Sequence, residues 1–350
     1  MVTRLIGCIF AVLLLSITAY SQEEATSPAL TISGSVDAYY RFNFQNAKDI
    51  PATNNFTSFT NSQNSFELGM ASVKFDYSKG KIGAVVDLGV GPRASEFSYA
   101  ESGALSALKQ GYVTYSPSDA VTFSMGKWAT HVGYELLDPQ LNRNYSMSYM
   151  FSYGPFSHTG IKADFSLGGG FGAMLGIANA TDNLSASFAK KNILAQISQS
   201  GDVVSAYLNY VGGKDLGDNS INQVGLTATV AISDMFSIGY DGTVKSVKPD
   251  GGSSASWWGS AIYLNVDPSE TFGLTLRGEY FDDKDGAAGF GTSLFDATIS
   301  LDIKPVEGLI ILPELRLDSA KDPFFFTNSD SDTPTGKSTA TFVLAAIVSF

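Results

Sequence analysis

Apolar and polar residues alternate in one segment after another of this 350-residue chain. In residues 271–281, Leu274 and Leu276 fall on one face of an extended strand, and Thr275 and Arg277 fall on the other. A period of two is the period of a β-strand that has one apolar and one polar face. No convincing helical period of 3.6 residues is found after residue 21. The alternation therefore predicts an all-β chain.

Sixteen candidate strands follow from this pattern and from the turn signals between them. Most are close to the ~9–11 residues that a tilted strand needs to cross a bilayer. The predicted strands span residues 31–44, 65–78, 81–91, 105–116, 120–128, 157–166, 170–179, 190–199, 202–212, 221–232, 235–245, 256–266, 271–281, 292–303, 306–317 and 338–350.

The connections between these strands alternate between short and long. Short turns are predicted at 78–80, 117–119, 168–169, 200–201, 233–234, 267–270 and 304–305, the last being Lys304-Pro305. Longer polar segments are predicted at 45–64, 92–104, 129–156, 180–189, 213–220, 246–255, 282–291 and 318–337. The alternation indicates a transmembrane antiparallel up-and-down β-barrel with short periplasmic turns and longer outer loops. A soluble sandwich would have no reason for it.

The composition fits a barrel in a membrane. Hydrophobic residues make up 44% of the chain and charged residues 16%, which excludes a disordered chain. One cysteine excludes a disulfide scaffold, and the only long apolar run is N-terminal, which excludes a helical membrane protein. The net charge of −12 repels phosphate, so no nucleic-acid partner is expected.

The N-terminus has the pattern of a secretory signal peptide. One basic residue, Arg4, precedes an apolar run over residues 5–20, and Ala19-Tyr20-Ser21 offers a cleavage site. The alternative is a membrane anchor, which the short run and the absence of a following basic stop disfavour. The predicted organisation is a signal peptide at 1–21, a short periplasmic spacer at 22–30 and an outer-membrane barrel at 31–350.

The last predicted strand ends on Phe350, with Leu344 and Val348 on the same face. A terminal aromatic residue on an alternating strand looks like the signal that the barrel assembly machinery reads. An ordinary edge strand that happens to end in Phe is the alternative. Together with the signal peptide and the alternating loops, the barrel is favoured.

Four short motifs carry a resemblance to a known family. They occupy residues 126–130 (Gly-Lys-Trp-Ala-Thr), 154–160 (Gly-Pro-Phe-Ser-His-Thr-Gly), 276–283 and 313–318. In order and spacing they resemble the putative β-barrel porin-2, or OmpL-like, porins of Gram-negative bacteria. Trp128 stands where Phe is more usual, and Leu317 stands where an aromatic residue is common. The Ser-Gln cleavage site also resembles Bacteroidetes proteins.

The resemblance implies a passive, water-filled channel for small hydrophilic solutes and ions in the cell outer membrane. The partners expected from it are outer-membrane lipid, lipopolysaccharide and the barrel assembly machinery. Porins of this width are often trimers, so a homotrimer is among the expected assemblies. No cofactor is implied.

The longest connection, residues 129–156, follows the fifth strand. By analogy with general porins it is predicted to fold into the lumen as a constriction loop. A loop that only caps the outer mouth is the alternative. The side chains expected to narrow the channel are His131, Glu135, Asp138 and Arg143.

Strand parity also predicts which side chains line the pore. They are Asp37, Tyr39, Arg41, Asp87, Lys162, Asp164, Arg277, Glu279, Asp296, Glu314 and Arg316. Charges of both signs across a pore create a transverse field, here as a ladder of Arg41, Arg277 and Arg316 facing acids at 37, 279 and 314. Salt bridges within the wall are an equally open interpretation. The acidity of the chain favours a weak preference for cations.

Two other functions compete with a channel. An enzyme would need a nucleophile beside a base, and the only imidazoles, His131 and His158, lie in no catalytic or metal-binding motif. A non-conducting structural or adhesive barrel is the second alternative. The acidic runs near 282–286 and 318–332 could hold calcium, but their spacing matches no calcium loop, so a solvated surface is favoured and no metal site is expected.

Overall fold

The computed structural model describes residues 27–45, 47, 52–329 and 332–350. The predicted signal peptide and most of the predicted spacer lie outside the described residues. Sixteen strands are present in this part of the chain. They are β1 (Ala29–Asn43), β2 (Ser65–Lys79), β3 (Ile82–Val90), β4 (Leu108–Ser118), β5 (Val121–Ala129), β6 (Ser157–Gly168), β7 (Phe171–Ala178), β8 (Asn192–Ser200), β9 (Val204–Lys214), β10 (Ser220–Ser233), β11 (Phe236–Lys248), β12 (Ala255–Ser269), β13 (Phe272–Asp282), β14 (Ser293–Val306), β15 (Leu309–Ala320) and β16 (Ser338–Ser349).

The strands form one closed barrel in which each strand pairs antiparallel with its neighbours in the sequence. β1 closes the barrel by pairing with β16, where Ala38 lies opposite Ala346 and Phe42 opposite Phe342. Closure leaves no strand edge unpaired, which is the condition for crossing lipid. The predicted up-and-down barrel of sixteen strands is confirmed.

The last residue takes part in this closure. The Gly34 N–H donates to the Phe350 carbonyl and the Phe350 N–H donates to the Gly34 carbonyl, both at 3.0 Å. The Phe350 ring lies over Gly34, where an added Cβ would stand 2.7 Å from a ring carbon. Glycine at this position therefore allows the terminal ring to pack on the strand.

Side chains alternate across the barrel wall as the sequence predicts. In β13, Leu276 is 43% exposed on the outer face, and its neighbour Arg277 is fully buried on the inner face. Aromatic pairs lie on the outer face near the ends that carry the long loops, such as Trp258 with Tyr280, whose ring centres are 5.4 Å apart. Such residues suit the boundary between lipid and water.

The connections alternate in length as predicted, but one predicted turn falls entirely within a strand. Lys304 and Pro305 lie within β14, and the chain reverses at residues 307–308 instead. Gly308 has a φ of +78°, which a glycine adopts without strain. Proline is tolerated near the strand end because the register is already irregular between Ile303 and Val306.

Short helical turns occur in the long loops, where the sequence predicted no helix. They are α1 (Pro92–Phe97), α2 (Tyr149–Tyr153) and two 3₁₀ turns at Gly103–Ala107 and Pro139–Leu141. Each is too short to produce a helical period in the sequence. The Ser148 hydroxyl caps α2 by accepting the Phe151 N–H at 3.1 Å. In the residues that the structure describes, no helix combines the length and apolarity needed to span a membrane.

Candidate functional site

The connection between β5 and β6 crosses the interior of the barrel. This lumen segment, residues 130–156, reaches strands on the opposite wall. The backbone N–H of Tyr149 donates to Glu279 of β13 at 2.7 Å, and that of Tyr145 donates to Glu314 of β15 at 2.7 Å. A loop that only capped the mouth would not contact inward-facing side chains in the middle of these strands.

Two buried carboxylates of the barrel wall each accept hydrogen bonds from two successive backbone N–H groups of the lumen segment. Glu314 accepts from residues 145–146 at 2.7 and 3.1 Å. Glu279 accepts from residues 149–150 at 2.7 and 2.8 Å. A carboxylate out of water is costly unless it is hydrogen-bonded, and hydrogen bonds to a charged acceptor are strong. These two acids therefore anchor the segment to the wall.

Arg277 of β13 bridges the wall and the lumen segment. It donates to Asp296 of β14 at 2.8 Å, to Glu135 at 2.7 Å and to the Ser146 carbonyl at 2.7 Å. Its side chain is completely buried. Arg316 similarly donates to the Met147 carbonyl at 2.6 Å. Both arginines thus neutralise buried acids and bind the segment's carbonyl groups.

The predicted ladder of arginines facing acids at 37, 279 and 314 is not the pairing observed. Arg316 pairs with Asp318 at 2.8 Å, and Arg41 donates to the carbonyls of Thr53 and Ser62 in the first long loop. Asp37 accepts the Tyr145 hydroxyl at 2.5 Å. Strand parity determines the face of the wall on which a charge lies, but not which group reaches it from across the lumen.

Three further contacts hold the lumen segment to other strands. Asp138 pairs with Lys109 of β4 at 2.5 Å. His131 lies with Nε2 3.2 Å from the Tyr210 carbonyl of β9. Arg143 forms a two-pronged pair with Asp267 near the end of β12, at 2.7 and 2.5 Å. The four charged or titratable side chains predicted for this loop are therefore all engaged with the barrel or with its buried arginine.

The predicted pore-lining residues fall into two groups. Nine of them lie under the lumen segment or the first long loop, or against Lys109, and are at most 5% exposed: Asp37, Tyr39, Arg41, Asp87, Arg277, Glu279, Asp296, Glu314 and Arg316. Lys162 and Asp164 of β6 keep 22% and 41% of their side chains exposed and pair at 2.9 Å. The corresponding pair in β2, Lys74 with Asp76, is 38% and 49% exposed. Charges in contact with water thus lie toward the short-turn end of the barrel.

Two buried cations of the site were not identified from the sequence. Lys109 pairs with Asp87 at 3.1 Å as well as with Asp138. Arg93 of α1 donates to the carbonyls of Leu137 and Tyr145. Strand parity does not predict the position of Lys109, because the register between β3 and β4 shifts near residue 87. It does not apply to Arg93, which lies in a helix too short to be detected from the sequence.

Burial governs the charge state of His131. It lowers the pKa of this imidazole from its ordinary value of 6.5 to about 4, and the hydrogen bond to the Tyr210 carbonyl opposes this shift only partly. The imidazole is therefore neutral at pH 7. Because the unfolded chain binds the proton more tightly, the free energy of unfolding should fall as the pH drops from 6.5 toward 4.

Replacing His131 with Gln should remove this part of the pH dependence. Between pH 7 and pH 4 the wild type should lose about 2 to 3 kcal/mol more unfolding free energy than His131→Gln. Urea titrations of the protein in detergent micelles at both pH values measure the difference. Parallel losses in the two proteins would contradict the assignment.

No grouping of three or more His, Cys, Asp or Glu side chains suited to a metal ion occurs within residues 27–45, 47, 52–329 and 332–350. In the acidic run near residue 283, a carboxylate is hydrogen-bonded to backbone N–H groups of the same loop. The Asp283 carboxylate accepts the N–H groups of Ala288 and Phe290, both at 2.8 Å.

Several solved structures have the same fold. The anion-selective porin from Comamonas acidovorans aligns with a TM-score of 0.65 and 12% identity over 93% of this chain and 100% of that one. The outer-membrane channel DcaP of Acinetobacter baumannii aligns at 0.61 and 13% over 93% and 98%. OmpT of Vibrio cholerae, in its trimer form, aligns at 0.61 and 10% over 93% and 100%. A search of curated proteins found no match.

A family model extends over nearly all of the described chain. The model of the family described as "Putative beta-barrel porin-2, OmpL-like" matches residues 29–350, from the first residue of β1 to the C-terminus. Family and fold together point to the outer membrane of a Gram-negative bacterium. The chain belongs to the putative beta-barrel porin-2, OmpL-like, family.

Proposed function

We propose that this protein is a channel for passive diffusion of small hydrophilic solutes and ions across the outer membrane. The observation that carries the proposal is the closed barrel of sixteen strands with a polar inner face. A barrel of this size is too wide for its wall side chains alone to fill, so it leaves an aqueous lumen unless another part of the chain occupies it. Here residues 130–156 narrow that lumen and set the size of solute that passes.

Charged groups toward the short-turn end of the lumen support a hydrated path there. Lys162 and Asp164 remain partly exposed toward the short-turn end, as do Lys74 and Asp76. These exposed pairs are balanced in charge, whereas the whole chain carries −12. A weak preference for cations is therefore expected from the overall field and not from a ring of acids.

The test is single-channel recording of the mature protein in a planar bilayer under a salt gradient. We expect stable current steps, with a reversal potential shifted slightly toward the equilibrium potential of the cation. A folded protein that conducts no current would contradict the channel, and a reversal potential toward the anion value would contradict the cation preference.

A non-conducting structural or adhesive barrel is the second candidate. The observation that favours it is the dense contact of the lumen segment with opposite walls, where Arg277, Glu279 and Asp296 are all fully buried. A barrel closed permanently in this way would fold and insert normally but would give no current steps.

The proposed setting includes further partners. Outer-membrane lipid and lipopolysaccharide contact the apolar outer face, and the barrel assembly machinery binds the strand that ends at Phe350. A homotrimer is the proposed assembly, in line with the trimer form of OmpT of Vibrio cholerae. Chemical crosslinking in native membranes, followed by gel electrophoresis, tests the trimer. The appearance of only the monomer band would contradict it.

A further inference from the structure

A pocket of about 590 Å³ opens at the long-loop end of the barrel, directly above the lumen segment. Five long connections contribute to it, including the lumen segment itself through residues 152–154. Among the lining residues are Asn55, Phe56, Tyr99, Tyr153, Asp182 and Lys245. Small-molecule sites usually measure ~300–1,000 Å³, so the pocket has the size of a ligand site.

The hydroxyls of both tyrosines that line the pocket are already hydrogen-bonded, and the ring of Tyr99 is the one that remains open to a ligand. The Tyr99 hydroxyl donates to Asp182 at 3.0 Å, and the Tyr153 hydroxyl donates to the Phe56 carbonyl at 3.1 Å. Tyr99 is nonetheless 63% exposed. An exposed aromatic ring with its polar atom already satisfied offers an apolar stacking face.

The partner of Tyr99 is itself fixed in place. Asp182 is only 5% exposed and accepts the N–H groups of Phe156 and Ser157 at 2.7 and 2.8 Å. These residues join the lumen segment to β6, so the ring is tied to the barrel and not only to a loop. The stacking face is therefore preorganised, which lowers the cost of binding.

The charges around the pocket select against anions. Three carboxylates, Glu96, Asp182 and Asp215, line it against one ammonium group, Lys245. The carboxylates are already occupied by donors; Glu96, for example, accepts the Phe59 N–H at 2.8 Å and the Asn61 amide at 3.1 Å. A ligand therefore gains more from stacking than from ion pairing.

We infer that this pocket binds a short neutral saccharide at the entrance to the lumen. A pyranose presents an apolar C–H face that packs on an aromatic ring, and its uncharged hydroxyls need no counter-charge from the pocket. The inference rests on the proposed channel for its role, because a sugar held at the mouth is positioned for entry. Within the proposed class of small hydrophilic solutes, the inference identifies neutral saccharides as the ones that the pocket binds.

Two measurements test the pocket with maltotriose as the neutral probe and tri-galacturonate as the anionic probe. One is blockage of single-channel current, and the other is isothermal titration calorimetry on the full barrel in detergent, which needs no open channel. We expect maltotriose to bind in both, and tri-galacturonate to bind about tenfold more weakly or worse.

Three variants locate the binding site. Tyr99→Ala should raise the half-saturating maltotriose concentration about fivefold or more because it removes the stacking face. Tyr99→Phe keeps the ring but loses the hydrogen bond to Asp182, so its half-saturating concentration should fall between those of wild type and Tyr99→Ala. Phe188→Ala removes a fully exposed ring that does not line the pocket, and it should change nothing.

The outcomes separate the pocket from the channel. Current steps without maltotriose binding would overturn the pocket and leave the channel intact. Calorimetric binding without any current would keep the pocket and overturn the channel. Equal binding of both probes, or an unchanged affinity in Tyr99→Ala, would overturn the inference.

Discussion

Replacing residues 134–153 with a short Gly-Ser linker should raise the single-channel conductance roughly threefold or more. The excised part carries the contacts to Glu279, Glu314 and Arg277 that hold the segment across the lumen. Without it, water reaches these side chains, so they no longer need the segment's backbone to replace their hydration. A barrel of sixteen strands with no internal segment has a wide aqueous interior.

The barrel itself should survive this deletion. β5 and β6 pair directly from Val121 with Phe165 up to Ala129 with Ser157, and the excised residues take no part in that ladder. Removing residues 185–190, a mostly exposed stretch of the connection between β7 and β8 that leaves Asp182 in place, is the control and should leave the conductance unchanged. An excised variant that folds but conducts like wild type would show that residues 130–156 do not limit the current.

Replacing Arg277 with Met should destabilise the folded barrel by about 3–5 kcal/mol. The guanidinium group bridges Asp296, Glu135 and the Ser146 carbonyl in a site without solvent exposure. Its loss leaves two buried carboxylates without their main counter-charge. Breaking a buried pair in this way is far more costly than losing an exposed one.

Urea unfolding in detergent micelles measures this effect, with Lys190→Ala as the matched control. Lys190 pairs with Asp218 where both side chains are more than half exposed, so its loss should cost under about 0.5 kcal/mol. Arg277→Lys should fall between the two, since an ammonium keeps the charge but lacks the planar fork. Equal stability of Arg277→Met and Lys190→Ala would refute the anchoring role of Arg277.

The fold could be predicted in most of its detail because each strand has one face toward lipid and one toward the lumen. Apolar and polar residues therefore alternate along each strand, as Leu276 and Arg277 do in β13. The misplaced turn at Lys304-Pro305 arose because proline is a turn signal, while the structure uses Gly308. Where two turn signals lie within a few residues of each other, the pairing of the two strands determines which of them forms the turn.

The candidate site could be predicted only in part. Parity placed Glu279 and Glu314 among the inward-facing groups, but it carried no information that both would accept backbone N–H groups of residues 145–150. Arg93, which lies in a helix of six residues, gave no signal at all. Contacts between residues so far apart in the sequence depend on how the loop enters the barrel.

The sequence by itself determined the strand number, the inward and outward faces and the alternation of short and long connections, because these follow from the period of two and from local turn residues. The tertiary structure alone decided that Arg277 joins Glu135 to Asp296 and that Lys162 and Asp164 stay in contact with water. The physical reason is burial. Once residues 130–156 displace water from one part of the lumen, buried charges there must pair with whatever the segment brings, whereas charges beyond its reach, such as Lys162 and Asp164, remain hydrated.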